Sequence, residues 1–156
     1  MSVNRRLLAV LAFVAILGAL VVSAPAGAAG EAVAKCTLAT VLKADNEVPP
    51  SGSKAFGAAV VHINDSKLFF SVAIANPARE SFFAGHIHVG AAGVNGPVQV
   101  TLFSGSTDRR LIVQAARLGI DPALAKAICA DPAGYYVNYH TTDFPGGAVR
   151  GQLKGV

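Results

Sequence analysis

From Thr37 onward the chain is a succession of short apolar segments, each followed within a few residues by Gly, Pro, Asn or Asp. The 156 residues include 16 Gly and 8 Pro, so turn residues recur too often for long helices. Short segments with turn residues at such spacing are typical of β-sandwiches and barrels. We therefore predict a mostly β, antiparallel fold.

Strands are predicted where apolar residues alternate or run together, and turns where Gly, Pro, Asn and Asp cluster. The predicted strands are residues 37–44, 56–63, 68–74, 82–89, 98–103, 135–141 and 148–153. The residues between the second and third, Asn64 to Lys67, suit a hairpin turn. Residues 111–116 are compatible with either a strand or a turn of helix, and the stretch 107–119 stays without an assigned structure.

A single short helix is predicted at residues 123–129. Asp121 is a good N-cap and Pro122 suits the first helical position. Leu124 and Ile128 lie four residues apart and so share one helix face. About seven or eight strands with one short helix predict an antiparallel β-sandwich.

The N-terminus has the pattern of an export signal. Arg5 and Arg6 precede an apolar run at residues 7–22, and Ala26-Gly27-Ala28 resembles a cleavage site. We predict a signal peptide at residues 1–28, a flexible mature N-terminus at 29–35 and one folded domain at 36–154. An uncleaved anchor is the alternative, but the apolar run is shorter than the roughly 20 residues that span a bilayer. A secreted, extracellular or cell-envelope location follows, without a stable membrane span after cleavage.

Two cysteines, Cys36 and Cys129, would reach an oxidising compartment. A disulfide is the expected state there, closing a loop of about ninety residues and stabilising the fold by roughly 4–5 kcal/mol. Two free buried thiols are the alternative.

The charge pattern excludes some partners. The formal charge of +4 falls to +2 once Arg5 and Arg6 are removed, and the remaining charges are scattered. No basic stripe for nucleic acid and no polybasic membrane patch is present. No Gly-x-Ser-x-Gly nucleophile motif occurs either, so no catalytic residue is predicted.

Three of the four histidines fall on two predicted strands. His86 and His88 are two residues apart, so they share one face of a strand about 7 Å apart. The same alternation puts Tyr136, Asn138 and His140 on one face of the strand at 135–141. If the two strands are neighbours, His86, His88 and His140 form a cluster. Three imidazoles suit zinc or copper, whereas histidines that serve only structure beside the glycine-rich loop at residues 90–97 are the alternative.

A metal site at this cluster sets geometric conditions. The three imidazoles must converge within about 4 Å of one point, because zinc–nitrogen bonds are about 2.0–2.1 Å long. The outer ring nitrogens also need hydrogen-bond acceptors. Imidazoles that diverge, or that are each capped by a backbone carbonyl, would exclude the site.

Other polar residues complete the candidate site. Asn138 and Arg150 are predicted to face it as binding residues, although Arg150 also reads as a plain surface arginine. Asp143 is close enough in sequence to orient His140. By contrast, His62 is predicted to be an outward strand residue. Asp45, Glu47 and Asp65 are expected in solvated turns.

Four segments, in order, resemble the CHRD (chordin-type) domain found in extracellular and bacterial secreted proteins. They are LKADNEVPP from Leu42, GHIHVG with NGPV from Gly85, GYYVNYHT from Gly134 and PGGAVRGQL from Pro145. The resemblance implies a compact β-sandwich that acts as a binding or structural module for an extracellular protein or envelope component. It also places His86, His88 and His140 in family motifs. The stretch 107–130, with the predicted helix and Cys129, departs from the family's pattern.

A looser similarity is to copper/zinc superoxide dismutases, through His-Ile-His followed by Gly, the predicted sandwich and the expected disulfide. It implies an immunoglobulin-like or superoxide-dismutase-like β-sandwich. Those enzymes hold two metals with six histidines and an aspartate, whereas this chain has four histidines. The sequence thus predicts a non-catalytic module. The alternative is a mononuclear copper or zinc protein with superoxide dismutase-like redox activity.

Overall fold

The computed structural model describes residues 33–156; the predicted signal peptide, like residues 29–32, lies outside the described residues. Nine strands and one α-helix make up this part of the chain. In order they are β1 (Lys35–Lys43), β2 (Phe56–Asn64), β3 (Lys67–Ala75), β4 (Phe82–Val89), β5 (Val98–Thr107), β6 (Leu111–Gly119), α1 (Pro122–Ala130), β7 (Tyr135–Thr141), β8 (Val149–Gln152) and β9 (Lys154–Gly155).

The local structure follows the sequence pattern closely. β4 and β7 have the predicted bounds, and the segment left open at 111–116 belongs to strand β6. The predicted helix is confirmed as α1, and Asp121 caps it by accepting from the backbone N–H groups of Ala123 (2.9 Å) and Leu124 (3.0 Å). The two-residue strand β9, which pairs with β1, is an addition to the prediction.

The described strands form a single antiparallel sheet in the order β5-β4-β7-β8-β1-β2-β3-β6. Contacts across its interior show how strongly it curves. The hydroxyl of Tyr139 on β7 donates to Gln114 Oε1 on β6 at 2.9 Å, and Phe103 on β5 stacks against the Tyr139 ring. The mostly β class is confirmed, and the sheet is nearly barrel-shaped. The immunoglobulin-like sandwich type stays a prediction.

The core lies on the concave side, where alternate residues of each strand point inward. Ile87, Val137 and Tyr139, on the side of β4 and β7 opposite the histidines, are fully buried. Burial of these and similar side chains is the main stabilising contribution, at about 25 cal/mol per Å² of apolar surface.

The predicted disulfide between Cys36 and Cys129 is present and joins β1 to α1, with 5.7 Å between the Cα atoms. The alternative of two free thiols is therefore wrong. Among residues 33–156 no helix is long and apolar enough to cross a membrane.

The convex side of the sheet has two contrasting halves. Strands β4, β7 and β8 present polar side chains, including the histidines of the candidate site. Strands β1, β2, β3 and β6 present mainly alanine, valine and other apolar side chains. The first half carries the candidate site.

Candidate metal centre

The pairing of β4 with β7 brings the three predicted histidines together. His86 lies opposite Asn138, and Ala84 lies opposite His140, so His140 is diagonal to His86 across the ladder. The ring centroids are 5.1 Å apart for His86 and His140 and 5.5 Å for His86 and His88. The two strands are therefore neighbours, which is the condition that the sequence analysis set for the cluster.

The ring nitrogens of the cluster converge. One nitrogen from each of His86, His88 and His140 lies within 4.8 Å of the other two, so a common point well within 4 Å of all three exists. His86 Nδ1 and His140 Nε2 are 3.2 Å apart. Two nitrogens on one tetrahedral ion with bonds of 2.0–2.1 Å are separated by about 3.3 Å. This pair already has that spacing, whereas the nitrogen of His88 lies within 4.8 Å of both.

Backbone carbonyls determine the tautomers of two of the imidazoles. His88 Nδ1 lies 2.9 Å from the oxygen of Gly96, and His140 Nδ1 lies 3.0 Å from the oxygen of Pro145. A carbonyl only accepts, so both Nδ1 atoms carry the proton and both Nε2 atoms are unprotonated. The Nε2 atom of His140 accepts from His86 Nδ1, whereas His88 Nε2 has no partner among the described residues. This is the arrangement of metal-bound histidines whose outer N–H is held by an acceptor. His86 has no such carbonyl partner, so the three are not each capped.

The environment keeps the imidazoles neutral. Burial, followed by the neighbouring histidines, lowers the pKa of His86 to about 4. Burial also lowers the pKa of His88 and of His140, although the carbonyl of Gly96 or Pro145 partly opposes this. Neutral imidazole is the form that binds a metal ion, and burial favours that form in all three histidines.

The carboxylate predicted to orient His140 does not do so. The Pro145 carbonyl fills that role, and Asp143 is exposed. The reason is the tight turn at residues 144–147, which points the carbonyl of Pro145 back at the ring. His62, as predicted, is outward on β2, where its Nδ1 lies 2.8 Å from the hydroxyl oxygen of Thr37.

Arg150 is fully buried, with 1% of its surface exposed, so it is not a plain surface arginine. Its guanidinium donates to Asn95 Oδ1 (3.1 Å) and to the carbonyls of Ala91 (3.1 Å) and Val94 (2.9 Å). These bonds hold the β4–β5 loop, residues 90–97, against the sheet. The same loop supplies the Gly96 carbonyl to His88, and a side chain at Gly96 would collide with the carbonyl of Val89.

Glu47 is a site residue that the sequence analysis missed. It was expected in a solvated turn, but it is only 5% exposed and its Oε2 accepts from Asn138 Nδ2 at 3.5 Å. Burial raises its pKa to about 7, against the opposing effects of the Arg150 charge and the Asn138 hydrogen bond. The sequence feature that could have identified Glu47 is its place in the LKADNEVPP segment. The missing side chain of Gly147 leaves space for the carboxyl group, since a Cβ there would lie 2.5 Å from Glu47 Oε2.

Unpartnered polar atoms concentrate in this one region. Among residues 33–156, three buried side-chain atoms have no hydrogen-bond partner: Glu47 Oε1, His88 Nε2 and Asn138 Oδ1. Buried polar atoms are nearly always paired. Three exceptions on one face, one of them a histidine nitrogen of the cluster, favour a site that binds an ion or ligand.

A groove of about 890 Å³ opens beside this region. Glu47 and Arg150 line one part of it, and Val41 and Val60 on β1 and β2 line another. Arg150 borders the groove, but with 1% of its surface exposed it offers no open side to a ligand. That role and the one predicted for Asn138, which is 4% exposed, stay predictions.

Comparison with known proteins agrees with the sequence resemblance. The family model of the CHRD domain matches residues 38–153. The chain therefore belongs to the CHRD domain family. Neither the curated proteins nor the solved structures contain a significant match.

Proposed function

We propose that the protein is an exported CHRD-domain module of the extracellular space or cell envelope that binds one copper or zinc ion through His86, His88 and His140. The observation that carries the metal site is the pair of unprotonated Nε2 atoms that the two backbone carbonyls leave on His88 and His140, in a cluster where one nitrogen of each histidine lies within 4.8 Å of the others. Family membership and the disulfide support the extracellular setting.

The donor set selects the metal. Imidazole nitrogens suit zinc and copper, whereas magnesium and calcium require oxygen ligands. The cluster contains no carboxylate. Three protein ligands leave a fourth position for water or for a group from a partner.

A binding role is proposed in preference to catalysis. CHRD family membership supports a binding or structural module, with an extracellular protein or envelope component as partner. A dinuclear site of the superoxide dismutase kind would need six histidines, and the chain has four. The fourth, His62, is bonded to Thr37 on β1, on the other half of the sheet. The proposed binding role holds whether or not the domain is an immunoglobulin-like sandwich.

Metal content tests the proposal. The full chain, purified without an affinity tag, is incubated with copper or zinc, desalted and measured by mass spectrometry. We expect close to one ion per chain, none in the His86→Ala/His88→Ala variant, and wild-type content in the His62→Ala control. Added metal should also raise the thermal unfolding temperature of the wild type, and a chelator should reverse this.

Two results would overturn the metal site. One is a wild-type chain that stays metal-free after incubation; the other is equal metal content in wild type and double variant. Far-ultraviolet circular dichroism establishes that the variants are folded, and His88→Gln, which is close to histidine in size, serves as a second variant if the double one unfolds. A superoxide dismutase assay on copper-loaded protein then distinguishes binding from redox activity.

A further inference from the structure

Asn138 lies at the centre of the polar half of the sheet, beside the candidate metal centre. The strand register places it between His86 on β4 and Arg150 on β8, and His140 follows two residues later on the same face of β7. Side chains directly opposite each other on antiparallel strands have Cβ atoms about 4.5–5.5 Å apart. The amide group of Asn138 therefore borders the space next to His86 and His140.

Glu47 adds a carboxyl group to this region from the loop that follows β1. Its Oε2 accepts from Asn138 Nδ2 at 3.5 Å, and a Cβ at Gly147 would lie 2.5 Å from the same oxygen. The carboxyl group is thus held on the histidine side of β7, between Asn138 and the turn that follows the strand. Glu47 does not belong to the group of ligand atoms that converge within 4.8 Å, so it is placed beside the metal ligands and is not one of them.

The three unpartnered buried side-chain atoms of residues 33–156 are all acceptors. Glu47 Oε1 is a carboxyl oxygen, Asn138 Oδ1 is an amide oxygen, and His88 Nε2 is unprotonated because Nδ1 donates to Gly96. Glu47 is 5% exposed and Asn138 is 4% exposed, so bulk solvent does not reach these atoms. Three acceptors without a donor require a cation or a molecule with O–H or N–H groups, whereas an anion would leave all three unpaired.

One metal ion that carries one water molecule satisfies all three atoms. The ion binds His88 Nε2 together with His86 and His140, and a three-histidine site leaves a fourth position for water. This water has two O–H groups to donate. Asn138 Oδ1 and Glu47 Oε1 are the two acceptors left over in the same region.

We propose that Asn138 and Glu47 hold a neutral, hydrogen-bond-donating ligand such as water in the fourth position of the metal ion, and that they exclude small anions from it. This inference rests on the metal site of the proposed function and adds the class of ligand that this site takes. Glu47 provides most of the selection, because an anion in the fourth position would face a carboxylate in surroundings of low dielectric. Arg150 does not attract the anion instead, since its guanidinium donates to the β4–β5 loop.

Azide binding to the copper-loaded chain tests the proposal, because azide is a small anion that replaces water on copper(II) and produces a new absorption band. The full chain is loaded with copper at pH 8, above the Glu47 pKa of about 7, and its copper content is measured before azide is titrated. We expect Glu47→Gln, which keeps the shape and removes the charge, to bind azide about tenfold or more tightly than the wild type. The control Asp45→Asn removes the same charge from an exposed neighbour and should bind azide like the wild type.

Asn138→Leu is the second variant and serves alone if Glu47→Gln does not fold, which far-ultraviolet circular dichroism establishes. Leucine is similar in size but lacks both the acceptor and the amide that holds Glu47, so azide should again bind severalfold more tightly than to the wild type. A damaged site would weaken copper and azide binding together, so tighter azide binding at unchanged copper content distinguishes ligand selection from a merely structural role.

Two outcomes would overturn the proposal, and they differ in what else they affect. Equal azide affinities of the folded variants and the wild type, each with one copper ion per chain, would remove the selective role of Glu47 and Asn138 and leave the metal site intact. A wild-type chain that holds no copper would overturn the metal site itself, and the proposal with it.

Discussion

The guanidinium carbon of Arg150 lies 3.4 Å from the centre of the Tyr136 ring. Tyr136 in turn stacks on His88, with 4.8 Å between ring centroids and 8° between ring planes. The hydroxyl of Tyr136 also accepts from the Gly96 N–H at 3.1 Å. A buried arginine is thus connected to a histidine of the candidate metal centre both through an aromatic ring and through the loop that it holds.

Replacing Arg150 by lysine should weaken both the fold and the metal site. Lysine keeps the charge but cannot reproduce the planar fork of donors or the stacking on Tyr136. We expect a loss of about 2–4 kcal/mol in the free energy of unfolding and roughly tenfold or greater weakening of zinc binding, as for other groups that position metal ligands. Denaturant titration and calorimetric zinc titration measure these effects. The exposed Arg109→Lys change is the control, and equal effects of the two substitutions would contradict the prediction.

The disulfide should account for a large share of the stability. Cys36 and Cys129 are 93 residues apart. Closing a loop of that length lowers the chain entropy of the unfolded state, which stabilises the fold by about 4–5 kcal/mol. Guanidinium unfolding of the Cys36→Ser/Cys129→Ser variant should therefore show a much lower midpoint than the oxidised wild type. Unfolding the wild type under reducing conditions should give the same lowered midpoint. Midpoints that do not move would show that the bond contributes little.

The strands could be predicted from the sequence because their signal is local. Side chains two residues apart on a strand share a face. This rule assigns His86 and His88 to one face of β4, and Asn138 and His140 to one face of β7, without any information from the rest of the chain. The pairing of β4 with β7 could not be derived in this way, because it joins segments about fifty residues apart. The prediction of the three-histidine cluster therefore depends on a strand pairing that only the folded sheet shows.

Glu47 shows where local reasoning fails. A charged residue between Asn46 and Val48-Pro49 has the composition of a solvated turn. Its burial depends on Gly147, a hundred residues away, whose missing side chain leaves room for the carboxyl group. The curvature of the sheet is equally non-local, since it depends on contacts such as the one between Tyr139 and Gln114.

A methyl group at Gly85 should destabilise the core. A Cβ there would lie 2.5 Å from the Tyr139 ring, which is fully buried. We expect Gly85→Ala to reduce the free energy of unfolding by about 1–3 kcal/mol through overpacking. Gly119→Ala is the matched control, because a Cβ at that position has no neighbour within 4 Å. Denaturant unfolding of both variants provides the comparison; equal stabilities would mean that the Tyr139 ring does shift.

Glu47 should make stability depend on pH in a direction opposite to that of the histidines. Its pKa is raised to about 7 in the fold from an ordinary value of 4.5, so the folded state binds the proton more tightly than the unfolded state. Its contribution is fully present below pH 4.5 and is lost as the pH rises through about 7. The pKa of His86 is lowered to about 4, so its contribution is present above about pH 6.5 and is lost as the pH falls through about 4.

The Glu47→Gln variant separates these two effects. Glutamine stays neutral at every pH, so it should match the wild type near pH 4.5 and become more stable than the wild type by up to about 3 kcal/mol at pH 8. Urea unfolding from pH 4.5 to pH 8, with a chelator present, measures the difference. The exposed neighbour Asp45→Asn should show no such trend. If the stability of Glu47→Gln instead ran parallel to that of the wild type across this pH range, the prediction would be contradicted. Glu47 would then be ionised in the fold already at acidic pH, with Arg150 and Asn138 compensating its burial.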